Sequence, residues 1–265
     1  MIRDITIGQY YPAGSILHKL DPRVKLMAVF CYTVTLFLFR NAAGFAVVTF
    51  GLAAMACLSK VPFGYMAKGL KSIAVILILT VMFQLFLTPG KTVAGWWIFW
   101  VTEEGLRQAA FMAVRLTYLV LGSSLLTLTT TPNHLTDGME KAFRPLQKIG
   151  VPVHEVSMIM SIALRFIPIL IEETDRIMKA QLARGAEFES GNLMKKVKSL
   201  LPLLVPLFVS AFRRAGDLAL AMEARCYHGG AGRTKMKPLH YQRADLVAYL
   251  GIAGYFAAVL FSRRI

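Results

Sequence analysis

Acidic residues are missing from a long part of this sequence, since no Asp or Glu occurs from Pro22 through Thr102. The apolar stretches 108–129 and 246–261 lack them as well. Carriers driven by protons or sodium usually keep an ionisable group within the membrane. The absence therefore argues against coupled secondary transport, although backbone carbonyl groups could still bind sodium.

Cysteine and the sequence motifs of enzymes are equally scarce. Cys31, Cys57 and Cys226 are the three cysteines, an odd number that indicates small core residues rather than disulfides or metal ligands. No Walker loop, GxGxxG, HExxH, CxxC or GxSxG pattern occurs, and the five histidines show no ligand spacing. We therefore expect a chain that is not an enzyme and holds no metal and no cofactor.

Apolar residues dominate the chain. Its 265 residues are 56% hydrophobic, with a mean hydropathy of +0.55, which is typical of a membrane protein. The fold class we predict is all-α, a polytopic membrane protein with about five transmembrane helices and a cytoplasmic domain of three helices. The five predicted spans lie at 26–39, 42–58, 72–87, 108–129 and 246–261.

Positive charge is distributed unevenly along the chain. The net charge is +15, and residues 131–242 carry more than half of the 30 lysines and arginines. The positive-inside rule then places this stretch in the cytoplasm together with residues 1–25 and 59–71, although Arg263 and Arg264 are a local exception. The expected localisation is the cell membrane, with a cytoplasmic N-terminus. Since topology accounts for most of the charge, we expect the lipid bilayer as a partner and no nucleic acid.

The basic stretch predicts three helices, over about 133–149, 153–184 and 193–225. Their apolar parts at 156–171 and 200–212 could reach the membrane boundary, but Arg165 and two prolines interrupt them, so we do not count them as spans. Counting both as spans would add two crossings, so the two chain ends would keep the same orientation across the membrane. The expected domains are four N-terminal transmembrane helices in 1–130, the three-helix domain in 131–242 and a last transmembrane helix in 243–265.

Two of these helices end on similar short sequences, Ala183–Arg184–Gly185 and Ala224–Arg225–Cys226, here called the first and the second arginine end. One interpretation is a helix terminus, because arginine favours the negative end of the helix dipole and glycine supplies a left-handed cap. The other interpretation is a docking element. A slim helix end could enter a groove, where its arginine would pair with a carboxylate.

Four stretches resemble the transmembrane T components of energy-coupling-factor transporters, and the resemblance covers nearly the whole chain. Its most specific feature is the pair of arginine ends, although Cys226 stands where the family pattern has glycine. The pattern is closer to the T components shared by several substrate-binding subunits than to those dedicated to cobalt or biotin. The four stretches are LHKLDPRVKL (17–26), TLTTTPNHLTDGMEKAFRPL (127–146), MSIALRFIPILIEETDRIMKAQLARG (160–185) and PLLVPLFVSAFRRAGDLALAMEARCYHGG (202–230).

The resemblance implies a non-catalytic scaffold in an ATP-driven vitamin or micronutrient importer. Two ATP-binding-cassette ATPase subunits would bind the two arginine ends from the cytoplasm. A membrane-embedded S component would bind the substrate and dock on this chain, and the three cytoplasmic helices would couple ATP hydrolysis to its movement. The competing hypothesis is an autonomous carrier or channel, which should move a solute without partners.

Arg115 is the one charged residue well inside a predicted span. It could contact a membrane partner or line a polar seam. It could equally be a structural arginine that bonds to carbonyl groups or extends its side chain toward the membrane surface.

Overall fold

The computed structural model describes residues 10–38, 41–89, 91–96, 99–186, 193–230, 236 and 238–262. The chain divides into two compact units. The larger unit contains Gly8–Lys141 and Leu239–Ile265, and the smaller unit contains Ala142–Pro238. The borders between the units fall at 141/142 and 238/239, eleven and four residues from the domain borders predicted at 130/131 and 242/243. The predicted domains stay a prediction.

In the described part of the chain there are nine α-helices, and seven of them belong mainly to the larger unit. The smaller unit contains two long helices, α7 (Val153–Ala183) and α8 (Leu193–Ala224), preceded by a 3₁₀ helix at Arg144–Ile149. The helices of the larger unit are α1 (Ile16–Lys19), α2 (Pro22–Leu38), α3 (Ala42–Ser59), α4 (Phe63–Leu87), α5 (Glu103–Thr129), α6 (Pro132–Phe143) and α9 (Arg243–Ser262).

The all-α class is confirmed, with one local exception that the sequence did not predict. Strands β1 (Thr92–Trp96) and β2 (Phe99–Thr102) form an antiparallel hairpin between α4 and α5. Pro89 prevents α4 from continuing, and the segment that follows is rich in aromatic and β-branched residues, which favour strands. The side chain of Thr102 then accepts from the N–H of Gly105 and caps α5.

Four described helices are long and apolar enough to cross a membrane, namely α4, α5, α7 and α9. Helices α2 and α3, with 17 and 18 residues, are shorter than the ~20 residues of a usual span. Helix α7, which the sequence analysis left out of its five spans, meets the criterion because its 31 residues continue unbroken past Arg165 and Pro168. A polytopic membrane protein is confirmed.

The predicted helix over 133–149 is wrong in its second half. Helix α6 ends at Phe143, and residues Arg144–Ile149 form a 3₁₀ helix that ends at Gly150, whose φ is +86°. Pro145 is the cause, because a proline inside an α-helix has no N–H to donate and its ring clashes with the preceding turn. The other two predicted helices match α7 and α8 to within one residue at each end.

The core of the larger unit lies where α2, α3, α5 and α9 pack together. Tyr32 is buried in it and donates from its hydroxyl to the carbonyl of Tyr118, 2.9 Å away. Gly122 lies so close to the Tyr32 ring that a Cβ atom at this position would overlap the ring. Close approach of α2 and α5 therefore depends on a residue without a side chain. The core also contains Leu36, Phe45, Val48, Leu52, Leu121, Leu125, Leu128 and Val259.

Candidate functional site at two helix ends

The first arginine end terminates α7 in a Schellman motif. Arg184 caps the helix, and Gly185 follows with a φ of +85°. The N–H of Gly185 donates to the carbonyl of Leu182, and the N–H of Ala186 donates to that of Gln181, both at 3.0 Å. These two bonds satisfy carbonyl groups that the end of a helix otherwise leaves without a partner.

The second arginine end repeats this geometry residue by residue. Cys226 takes the place of the glycine, with a φ of +54°. Its N–H donates to the carbonyl of Glu223 at 2.8 Å, and the N–H of Tyr227 donates to that of Met222 at 3.0 Å. The left-handed turn expected of a glycine is thus formed by a cysteine, at a steric cost of about 1–2 kcal/mol.

Both arginine ends present their side chains outward. The guanidinium groups of Arg184 and Arg225 have neither an ion pair nor a hydrogen bond within the described part of the chain. All six residues of the two ends are exposed: Ala183, Arg184, Gly185, Ala224, Arg225 and Cys226. Each end is therefore a slim, positively charged projection whose backbone is already satisfied.

Helices α7 and α8 pack against each other in opposite directions. Arg214 of α8 donates to Glu173 of α7, with 3.2 Å between Nη2 and Oε2. Toward the C-terminal end of α8, the two helices line a partly open, largely apolar cavity of about 340 Å³. Its lining includes Ile162, Phe166 and Leu170 from α7 and Leu218 and Met222 from α8.

This packing separates the two arginine ends. Gln181, next to the first end, contacts Pro202 on α8, and Arg225 follows Pro202 by 23 residues. At a rise of 1.5 Å per residue, this corresponds to a separation of roughly 35 Å. The two arginine ends therefore lie at opposite ends of the helix pair.

Comparison with known proteins decides the family. Residues 13–236 match the family CbiQ, described as cobalt transport protein. The energy-coupling factor transporter transmembrane protein EcfT of Clostridium kluyveri is 54% identical over 253 residues, covering 94% of this chain and 93% of the relative. That of Bacillus subtilis is 46% identical over the full length of both chains, and that of Thermosediminibacter oceani is 48% identical over the full length of both.

The chain belongs to the EcfT family. The resemblance read from the sequence is thereby confirmed, as is the expected class of membrane-bound transport protein. The relatives are named as transmembrane components of a transporter, and those names specify no substrate. Among the described residues of this family member, no group of three or more His, Cys, Asp or Glu side chains could hold a metal ion.

Arg115, on α5 of the larger unit, is half-buried. Its guanidinium lies over the ring of Phe37 on α2, 5.8 Å from the ring centre. A cation over an aromatic face is attracted by the negative charge density of the ring. Arg115 thus has a contact inside the larger unit, and a contact with a membrane partner stays a prediction.

The sequence analysis missed a buried polar cluster at the start of α2 and α9. Asp21 caps α2, accepting from the N–H and the Nε of Arg23 at 2.9 and 3.1 Å. Arg23 also lies over the ring of Tyr241, at 4.1 Å, and donates to the carbonyl of Leu239. The Asp-Pro pair at 21–22 was the available signal, since aspartate favours the N-cap and proline the first helical position.

Lys25, which precedes the apolar run of 26–39, is buried beside this cluster. Its Nζ donates to the carbonyl groups of His18 and Thr129, at 3.2 and 3.0 Å. Burial lowers the pKa of Lys25 to about 8, although the negative charges of Asp21 and Asp245 favour the protonated form. The lysine is therefore a structural link between α2 and the end of α5.

Proposed function

We propose that this EcfT-family chain is the non-catalytic scaffold of an ATP-driven importer. In this proposal the two arginine ends bind two ATPase subunits, one each. The movement of α7 and α8 that follows ATP hydrolysis is passed to a membrane-embedded S component that carries the substrate. The chain transmits the movement, and its partners hydrolyse ATP and recognise the substrate.

One observation carries the proposal. Two helices that pack against each other end in the same backbone geometry, each with an exposed arginine, and the ends lie roughly 35 Å apart. A helix cap alone requires only the backbone bonds. It does not explain the matching outward arginines, whereas a partner assembly with two similar acidic grooves does.

The decisive experiment is affinity purification of the chain from its native membrane, followed by mass spectrometry of the proteins that accompany it. We expect two ATPase subunits and one or more small membrane proteins with the wild type. Both ATPases should be lost from the variant that combines Arg184→Glu with Arg225→Glu. Small membrane proteins that remain would identify the substrate class.

Two other arginines provide a matched control. Arg176 on α7 and Arg213 on α8 are exposed but lie away from the helix ends. Replacing both with glutamate makes the same change of charge on the same two helices and should leave the ATPases bound. Unchanged ATPase recovery with the double end variant would contradict the docking role. A wild-type chain that purifies alone and moves a solute in liposomes would instead support an autonomous carrier.

We also propose that the arginine ends lie in the cytoplasm, as the charge distribution of the sequence predicts. Cys226 offers a direct test because it is exposed at the second end. In a variant that keeps Cys226 and replaces Cys31 and Cys57 with serine, a membrane-impermeant thiol reagent should label the chain only after the cells are permeabilised. Labelling in intact cells would place this end outside.

A further inference from the structure

A proline in α8 leaves one backbone carbonyl group of that helix without its usual donor. In an α-helix the carbonyl of residue i accepts from the N–H of residue i+4. The partner of Pro202 would be residue 206, which is also a proline and has no N–H. The carbonyl of Pro202 is therefore free to accept a hydrogen bond from outside its own helix.

Gln181 of α7 supplies this bond. Its Nε2 donates to the carbonyl of Pro202, with 3.3 Å between the atoms. The same residue takes part in the first arginine end through its backbone, because its carbonyl accepts from the N–H groups of Arg184 and Ala186. Gln181 thus joins the cap of α7 directly to the stretch of α8 that contains the two prolines.

The second arginine end has a different side chain at the matching position. Met222 occupies in α8 the position that Gln181 occupies in α7, since its carbonyl accepts from the N–H groups of Arg225 and Tyr227. Its side chain lines the apolar cavity between the helices. The matching position thus carries a side chain with a directional hydrogen bond to the neighbouring helix at the first end, and an apolar side chain at the second.

We propose that Gln181 is a positioning residue, which fixes the first arginine end to the proline-containing part of α8 so that Arg184 keeps a defined place relative to that helix. The proposal rests on the proposed function, because a defined place matters if Arg184 docks into a partner. Pro206 contributes to this arrangement, because it has no N–H and so leaves the carbonyl of Pro202 able to accept the hydrogen bond from Gln181.

The first test measures position without any partner protein. Spin labels at Lys179 and Lys198, two exposed positions on α7 and α8, report the distance between the helices near this contact in the purified chain. The native cysteines are replaced beforehand, Cys31 and Cys57 with serine and Cys226 with glycine. Gln181→Glu introduces a carboxylate that can accept but not donate a hydrogen bond, and Gln181→Met introduces a side chain that cannot donate one. Both variants should broaden the distance distribution.

Gln181→Lys is the rescuing variant, because its ammonium group can donate to the carbonyl of Pro202. Glu, Met, Lys and Gln have similar helix propensities, so a change of helix stability alone would affect all the variants alike. We expect narrow distributions for Gln and Lys and broad ones for Glu and Met. Gln147→Glu, at an exposed position of the same unit, is the control for the change of charge. Equal distributions for all variants would overturn the proposal.

The second test uses Pro206. Pro206→Ala restores an N–H to which the carbonyl of Pro202 can bond within α8, so that Gln181 is no longer needed. In this background Gln181→Met should leave the distance distribution unchanged relative to Pro206→Ala alone. Broadening as large as in the wild-type background would show that Gln181 acts through another contact, and would overturn the assigned role.

ATPase binding then separates the two proposals. If the arginine ends dock, Gln181→Met should weaken ATPase association by about fivefold, the effect of losing one net hydrogen bond, and Gln181→Lys should not. Normal ATPase binding by Gln181→Met would overturn its role in docking, even if the distances broaden. A wild-type chain that binds no ATPase contradicts the proposed function, while the distance measurements still decide whether Gln181 positions the helix end.

Discussion

The N–H of Asp21 donates to the carboxylate of Asp245 over 2.8 Å, although the two residues are 224 positions apart in the chain. The other oxygen of Asp245 accepts from the N–H of Gln242 at 2.7 Å, which caps α9. Because Asp21 itself caps α2, one buried carboxylate joins the first turns of two helices. The first and the last long helix of the larger unit are tied together at their N-terminal ends.

Asp245→Ala should therefore destabilise the chain strongly. It leaves the N–H of Asp21 without its acceptor in a buried site, and removes the acceptor of the partly exposed N–H of Gln242. A buried, unsatisfied N–H costs about 1–3 kcal/mol. We expect a clearly lower apparent melting temperature in detergent, with Asp245→Asn intermediate because one oxygen remains. Asp217→Ala, at an exposed position on α8, is the control and should change little.

The stability contribution of Lys25 should depend on pH in a defined window. Its pKa is about 8 in the folded chain, against 10.5 as the ordinary value, so the unfolded chain binds more protons between these two values. Stability then rises with pH across this window. Apparent melting temperatures from pH 7.5 to 10 test this.

A comparison of two lysine variants isolates the effect of Lys25. The apparent melting temperature of the wild type minus that of Lys25→Met should increase with pH. The difference between the wild type and Lys71→Met, at an exposed position on α4, should stay constant. A difference for Lys25→Met that shrinks with pH would mean that its charged form stabilises the fold.

Two glycines should respond in opposite ways to the same substitution. Gly122→Ala places a methyl group against the buried ring of Tyr32, and such overpacking costs about 1–3 kcal/mol. Gly251→Ala adds a methyl group where nothing lies within 4 Å, and alanine favours a helix by about 1 kcal/mol over glycine. Thermal unfolding in detergent should show a loss for the first variant and no loss for the second. Equal behaviour would contradict the close packing of α2 on α5.

The parts of the structure that the sequence predicted depend on local signals. Helices α7 and α8 follow from apolar runs with charged continuations, and their ends follow from the two arginine motifs. The break at Pro145 was also local, but the regular apolar spacing across it favoured one continuous helix. The hairpin between α4 and α5 is too short for its alternating pattern to stand out from the neighbouring apolar helices.

The polar contacts between distant parts of the chain could not be predicted in this way. Asp245 reads as an acidic residue before an apolar run, and its second partner, the N–H of Asp21, becomes visible only when α2 and α9 are folded together. The bond from Gln181 to Pro202 is similar. The proline spacing reveals a free carbonyl group, but which side chain reaches it depends on how α7 packs on α8.

The left-handed backbone angle at Cys226 and Gly185 predicts that substitutions at these two matching positions change helix-end stability in opposite directions. Cys226 has a left-handed backbone that costs about 1 kcal/mol or more for a residue with a Cβ, and glycine avoids this cost. Cys226→Gly should therefore stabilise the end of α8, while Gly185→Ala should destabilise the end of α7 by a similar amount. Hydrogen–deuterium exchange of residues 222–230 and 181–186 should slow in the first variant and accelerate in the second. Cys226→Ala keeps the Cβ and removes the exposed thiol, so its exchange should match that of the wild type. Slower exchange in Cys226→Ala would assign the effect to the sulfur atom and not to the backbone angle.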